Sequence, residues 1–270
     1  MTLAAAFLVA GSPLPYLRKG NPPWAQLTAG YKAAARSLAA ARPDVILLYS
    51  TQWIAVLDEL WQTRQRVSGV HVDENWYEYG DLSYDLKIDT ALAEACVAKA
   101  NVLGIQSKGV DYDAFPIDTG TIVANGFLNP DGAFPLVLAA NNVYHDFEAT
   151  RRIASLAAET AEMQGKRYAV VGVGGLSGTI FRDEINIAED RLASSEDDKW
   201  NRRILDLMEK GETRQVEDLC SEYAGAAKVD MGFKHLAWVL GATGGQYKGA
   251  RIHGYGPTYG AGAAVIEFKF

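Results

Sequence analysis

The stretch RYAVVGVGGLSG, Arg167 to Gly178, decides the fold. Arg167–Val173 is an apolar, valine-rich run of the kind that builds a strand buried on both faces, and it leads straight into the glycines of Gly174–Gly178. Upstream, Ile153, Leu156, Ala157, Thr160 and Met163 recur on one face of a helix, and Gly165 is placed to stop it. Before that helix, Phe134–Ala140 reads as another strand, ending in Asn141-Asn142. Strand, helix, strand and loop make a βαβ unit.

The alternation continues in both directions. Leu3–Ala10 reads as a first strand ending at Gly11-Ser12-Pro13. Pro22-Pro23 opens a helix with Trp24, Leu27, Tyr31 and Leu38 on one face, and Pro43 stops it. Val45–Tyr49 follows as a strand that ends at Ser50-Thr51-Gln52, and Asp89–Ala100 reads as helix. Downstream, Ser195 and Asp198 form a capping box for a helix through Trp200, Ile204 and Leu207. Val216, Leu219, Cys220 and Tyr223 stripe another helix, a third follows Asp230, and Ala263–Phe270 closes as a strand. The expected fold is therefore α/β: one domain over residues 1–270, with a central mixed, largely parallel sheet flanked by helices.

Composition narrows the function classes. The 270 residues are 49% hydrophobic and 22% charged, as in an ordinary soluble globular protein. No run reaches the ~20 apolar residues of a membrane span. No Lys or Arg precedes Leu3–Ala10, so it is expected to be a buried strand and not a signal peptide. A net charge of −7 with no basic stripe argues against nucleic acid. Cys96 and Cys220, far apart in helical segments, suit a reducing cytoplasm better than a disulfide or metal site. Of the four histidines, His71, His145, His235 and His253, no two are spaced as a helical metal-binding pair.

In open α/β sheets, sites form at the carboxyl ends of strands. Four exits therefore matter: Gly11–Pro13, Ser50–Trp53, the turn around Asp118–Gly120, and Gly174–Gly178. The last invites a dinucleotide-binding reading and hence an oxidoreductase. However, Gly172, Gly174, Gly175 and Gly178 miss the G-x-G-x-x-G spacing, and the loop lies late in the chain.

Taken in order, the motifs Gly-Ser-Pro at 11–13, Ser-Thr-Gln-Trp at 50–53, Ile-Asp-Thr-Gly at 117–120, Gly-Gly-Leu-Ser-Gly at 174–178 and Gly-Tyr-Gly-Pro-Thr-Tyr-Gly-Ala-Gly at 254–262 resemble the class III extradiol dioxygenases. This is the superfamily of the protocatechuate 4,5-dioxygenase catalytic subunit. The resemblance extends over nearly the whole chain, and is nearest to the group that cleaves 2-aminophenol with paired, homologous α and β chains. It implies ring opening next to the ortho substituents, with O₂ and an Fe(II) held by two histidines and a glutamate.

Carried over residue by residue, the resemblance fails at every imidazole. The two iron histidines fall on Ser12 and Gln52, and two further site histidines fall on Thr119 and Gly178. Around them Pro13, Ser50, Trp53, Asp118, Gly120, Gly174, Gly175, Leu176 and Ser177 persist. The carboxylate ligand is expected in the helix after Asp230, where Lys234 is the only charged side chain between Met231 and Leu240, with His235 beside it. An ammonium at Lys234 could then stand where the metal's charge would be. The resemblance thus implies a chain with no metal and no catalytic residue of its own. It would be the non-catalytic α-type subunit of an α₂β₂ assembly whose β chain holds Fe(II).

The rival is an active metalloenzyme with its site relocated to His145, beside Asp146. His71 has no evident partner, and His253 in the glycine-rich Arg251–Gly262 segment suggests a structural turn. Asp85, Asp89, Asp111 and Asp113 read as caps and turn residues, and Asp183–Asp198 as a solvated loop. Trp53, Trp61, Trp76, Tyr77, Tyr79 and Tyr84 crowd one third of the chain, as partner-facing aromatics or as core.

Overall fold

A computed structural model describes residues 2–270. In chain order the elements are β1 (Leu3–Val9), α1 (Leu14–Leu17), α2 (Ala25–Ala41), β2 (Val45–Ala55), β3 (Glu59–Gln62), β4 (Arg66–His71), β5 (Leu82–Lys87), α3 (Thr90–Val102) and β6 (Ser107–Val110). There follow α4 (Thr119–Leu128), β7 (Leu136–Asn142), α5 (Phe147–Met163), β8 (Tyr168–Val173), α6 (Ser195–Glu209), α7 (Thr213–Ala226), α8 (Lys234–Ala242), β9 (Gly249–Thr258) and β10 (Ala261–Lys269).

Eight strands form one mixed sheet in the order β6-β3-β7-β2-β8-β1-β10-β9, and β4 and β5 form a separate hairpin. The centre is parallel, β7 on β2, β2 on β8 and β8 on β1. The β9–β10 ribbon adds antiparallel to β1. The mixed α/β architecture read from the sequence is thus the one observed.

Central strands are apolar on both sides because both faces are covered. In β2, Leu47 and Tyr49 face a core built with α3, α5, α6, α7 and α8. Ile46 and Leu48 face a second core made with α2, α4 and the β4–β5 hairpin. Each fully buried aliphatic side chain contributes on the order of 2 kcal/mol, so these two cores hold the layers together. Cys96 and Cys220 are free and buried, and burial pushes both thiols up to about 12, which leaves them inert.

Several boundaries differ from the sequence reading. β2 does not stop at Tyr49 but runs on to Ala55, with a register break against β7 between Tyr49 and Ile54. Helix α6 is capped by Ser194, whose Oγ accepts from the Asp197 amide, one residue earlier than expected. The glycine-rich segment is mostly strand, since β9 runs to Thr258 and only Tyr259-Gly260 turns the chain into β10. A side chain at Gly254 would meet the Gln26 carbonyl at 2.5 Å, so that glycine lets α2 lie close against the ribbon. The turn at Asp118 is a helix start and not a strand exit: its carboxylate caps α4 through the Thr121 amide.

Trp53 and Trp61 belong to the core, whereas Tyr77 is exposed. Asp89 caps α3, while Asp85 pairs with Arg66 and Asp111 and Asp113 pair with Arg64.

Candidate functional site

The ends of β1, β2 and β8 and the start of α4 open onto one cavity of about 700 Å³. Ser12, Gln52, Thr119 and Gly178, far apart in sequence, all line it. Their convergence is tight. A Cβ built on Gly11 would lie 3.0 Å from both Gln52 Nε2 and the Gly120 Cα, so three turns meet there. Trp53, Trp76, Phe115 and Ile180 supply apolar wall, a mixed lining of the kind that holds small molecules.

The framework between these positions is knitted by hydrogen bonds. Ser50 Oγ donates to Asp118 Oδ1 at 2.5 Å, tying β2 to the cap of α4. Ser177 Oγ accepts from Asn201 Nδ2 at 2.8 Å and from the Gly262 amide at 3.1 Å. Tyr223 Oη in turn donates to Asn201 Oδ1 at 2.6 Å. The Gly174–Gly178 loop is therefore anchored to α6, α7 and β10. No helix opens from it, since the next α-helix begins only at Ser195, and a dinucleotide would find no helix N-terminus here.

One carboxylate of this wall escaped the sequence reading. Asp230 lines the cavity, accepting from Thr51 Oγ1 at 2.5 Å and from the Gly175 amide at 3.3 Å. Burial raises its pKa, and those two bonds oppose the shift. Met231, Gly232 and Phe233 all have positive φ, and this left-handed turn folds Asp230 back onto the loop. Only the glycine hints at such a turn in the sequence.

The same turn sends Lys234 elsewhere, correcting the expectation that its ammonium stands in the cavity. Lys234 Nζ donates to Asn141 Oδ1 at 3.1 Å and to the Asn142 carbonyl at 2.9 Å. A buried ammonium needs such acceptors, and the end of β7 supplies them. Burial lowers the Lys234 pKa, while nearby Glu59 opposes that shift.

The remaining histidines divide in an unforeseen way. His145 Nδ1 lies 3.2 Å from Glu59 Oε2, beside a cavity of only about 40 Å³, too small for an organic substrate. Asp146 is committed to capping α5. His253 bonds Glu267 across the β9–β10 ribbon at 2.6 Å. His235 is fully buried against Phe233, and burial pushes its pKa down to about 3, so it is neutral. His71, read as partnerless, is the one histidine on the cavity wall. Its Nε2 lies 2.9 Å from Thr119 Oγ1, and Thr119 donates to Asp73 Oδ2 at 2.6 Å.

The donors at the four turns do not fit a ferrous centre. Ser12 and Thr119 offer neutral hydroxyls, Gln52 an amide, and Gly178 nothing. Nor is there room to restore a side chain at the last position: a Cβ on Gly178 would sit 2.3 Å from the Lys228 carbonyl oxygen.

Relatives of known sequence agree with this scaffold. Over its full 270 residues the chain is 49% identical to the whole of the 2-aminophenol 1,6-dioxygenase alpha subunit of a Pseudomonas species. It is 26% identical to the beta subunit of 2-aminophenol 1,6-dioxygenase from Pseudomonas, covering 94% of this chain and 90% of that one. It is 20% identical to 3,4-dihydroxyphenylacetate 2,3-dioxygenase of Escherichia coli, over 85% and 84% of the two chains. The crystal structure of an uncharacterized protein from Escherichia coli K12 shares the fold, with a TM-score of 0.65 at 15% identity over 97% and 98% of the chains. Residues 9–268 match the model of the catalytic LigB subunit of aromatic ring-opening dioxygenase, and the chain belongs to that family.

Proposed function

We propose that this protein is the non-catalytic, α-type subunit of a heteromeric extradiol dioxygenase that opens 2-aminophenol, or a substituted relative, with O₂ to an aminomuconic semialdehyde. The carrying observation is the pairing of full-length 49% identity to an alpha subunit with a cavity whose four key turns hold no imidazole. The homologous β-type chain would be the partner and would hold Fe(II), which supplies the Lewis-acid and O₂ chemistry when bound. An α₂β₂ assembly is the arrangement we infer. No helix is long and apolar enough to cross a membrane, and the inert thiols suit the cytoplasm.

The role left to this chain is to hold its partner in the folded, iron-competent state, as an obligate subunit stabilises by mass action. The apolar side chains Ile54, Leu57, Val143 and Tyr144 stand exposed together at the ends of β2 and β7 and suit such a contact. The test is to express this chain alone, the β-type chain alone and the two together, then measure iron and 2-aminophenol turnover. Iron-dependent turnover is expected only where the β-type chain is present, and is expected to be highest in the complex. Turnover by this chain alone would overturn the reading.

A further inference from the structure

The hairpin β4–β5 stands outside the main sheet and delivers His71, Asp73 and Glu74 to the cavity wall. One ligand atom from each of the three lies within 4.8 Å of the others, the one such grouping of three metal-ligating side chains among the described residues. Metal–ligand bonds of about 2.1 Å place ligand atoms roughly 3–4 Å apart, so a small inward movement closes the set on one ion.

Hydrogen-bond logic prepares the imidazole. Thr119 has a single hydroxyl proton, and it goes to Asp73 Oδ2. Its oxygen must then accept from His71, which places the ring proton on Nε2 and leaves a bare lone pair on Nδ1. Fixing the tautomer of a ligating histidine through its other nitrogen is what outer partners do at metal sites. Asp73 is itself held, its Oδ1 accepting from the Asn75 and Trp76 amides. An independent sign comes from the adjoining wall, where Asp118 Oδ2 is buried without a hydrogen-bond partner among the described residues. With Asp73, Glu74, Asp118 and Asp230 on the lining and Lys228 the only lysine or arginine there, the wall favours a cation.

We propose that His71, Asp73 and Glu74 bind a divalent first-row metal ion on the wall of the cavity. One imidazole and two carboxylates suit Mn²⁺, Fe²⁺ or Zn²⁺ better than Ca²⁺ or Mg²⁺, which take oxygen alone. All three ligands come from one wall, so the remaining positions face the cavity and are open to water or a small oxygen- or nitrogen-donor ligand. The site uses none of the four turn positions as a metal ligand and does not rebuild the family's ligand set.

The probe is Mn²⁺, titrated into the purified full chain and into its complex with the β-type partner, and read by electron paramagnetic resonance and by metal counting. One Mn²⁺ per copy of this chain is expected beyond the partner's metal. His71→Ala and Asp73→Asn are each expected to weaken binding at least tenfold, and Thr119→Val by a smaller factor through loss of the tautomer lock. Glu74 is exposed, so Glu74→Gln tests a ligand without risk to the fold, and it is expected to weaken binding severalfold. The Co²⁺-loaded chain should lose the visible absorption shift of a nitrogen ligand in His71→Ala. No saturable Mn²⁺ binding, or binding unchanged in Glu74→Gln and His71→Ala variants that melt like the parent, would overturn the site. Turnover by the lone chain bears on the subunit role and leaves this result untouched, so the two failures are distinguishable.

Discussion

Two polar regions meet the central sheet, and they are built on opposite principles. On the cavity side, the residues between the four turns are tied into hydrogen-bonded sets: Ser50 with Asp118, Ser177 with Asn201 and Tyr223, and Asp230 with Thr51. Of these side chains only Asp118, at Oδ2, has a buried atom left over among the described residues. At the same strand ends but toward β3, Glu59, His145, Lys234, Asn141 and Tyr49 bury ionisable groups whose needs are only partly met. There Glu59 Oε1, Gln62 Nε2 and Trp61 Nε1 have no hydrogen-bond partner among the described residues. Burial pushes the Glu59 carboxyl up to about 7, against the pull of His145 and Lys234. The contrast teaches that turns without an imidazole can still be firmly held. The burden of buried charge falls instead on the Glu59 carboxyl.

The comparison can be broken on either side. The largest effect is expected at Gly178 on the cavity side. Gly178→Ala forces a methyl against the Lys228 carbonyl and should cost about 3 kcal/mol, read as a fall in the chemical-denaturation midpoint. A loss below about 0.5 kcal/mol would mean that this turn is softer than its packing implies.

Glu59 comes next. Its folded pKa lies above the unfolded value of 4.5, so the folded state holds the extra proton between about 4.5 and 7. Stability from this group is full below 4.5 and is lost as pH rises through 7, by roughly 2–3 kcal/mol in all. Glu59→Gln should remove this falling contribution from the stability–pH curve. His235 slopes the other way: its folded pKa of about 3 is below the ordinary 6.5, so its contribution is present above 6.5 and lost on acidification toward 3. The wild-type curve should therefore be nearly level between about 4.5 and 6.5, and the Glu59→Gln curve should climb there.

Asn201→Ala should cost about 2 kcal/mol, because it strands the buried Tyr223 hydroxyl and removes a donor to Ser177. The same substitution should leave the Glu59 titration in place, which separates the two regions. The smallest change is expected from Lys234→Met. Removing the ammonium should move the Glu59 titration further upward and leave the cavity's ligand binding unaltered.

The layers were legible from periodicity because strands and helices answer to their own neighbours in sequence. Ile46 and Leu47 alternate faces within one strand, and Ile153 and Leu156 share one helix stripe. The short strands β3 and β6 were not legible, since four residues each carry too little pattern. Nor was β9, whose glycines look like turn residues until α2 is seen lying against them. At the site, Ser12, Gln52, Thr119 and Gly178 were singled out by the resemblance of their flanking motifs, and the fold brings all four to one cavity. His71 was missed because its partner, Thr119, is 48 residues away, and no local spacing records a contact across that distance. Asp230 and Lys234 were exchanged in role because three left-handed residues turn the chain between them.

The carbonyl of Lys228 beside Gly178 also limits what substitution there can achieve. Any side chain at that position meets backbone before it reaches the cavity. An imidazole at 178 therefore cannot be installed by one substitution alone: the chain around Lys228 must give way first, and a design that aims to place a proton carrier in this turn has to begin with that segment.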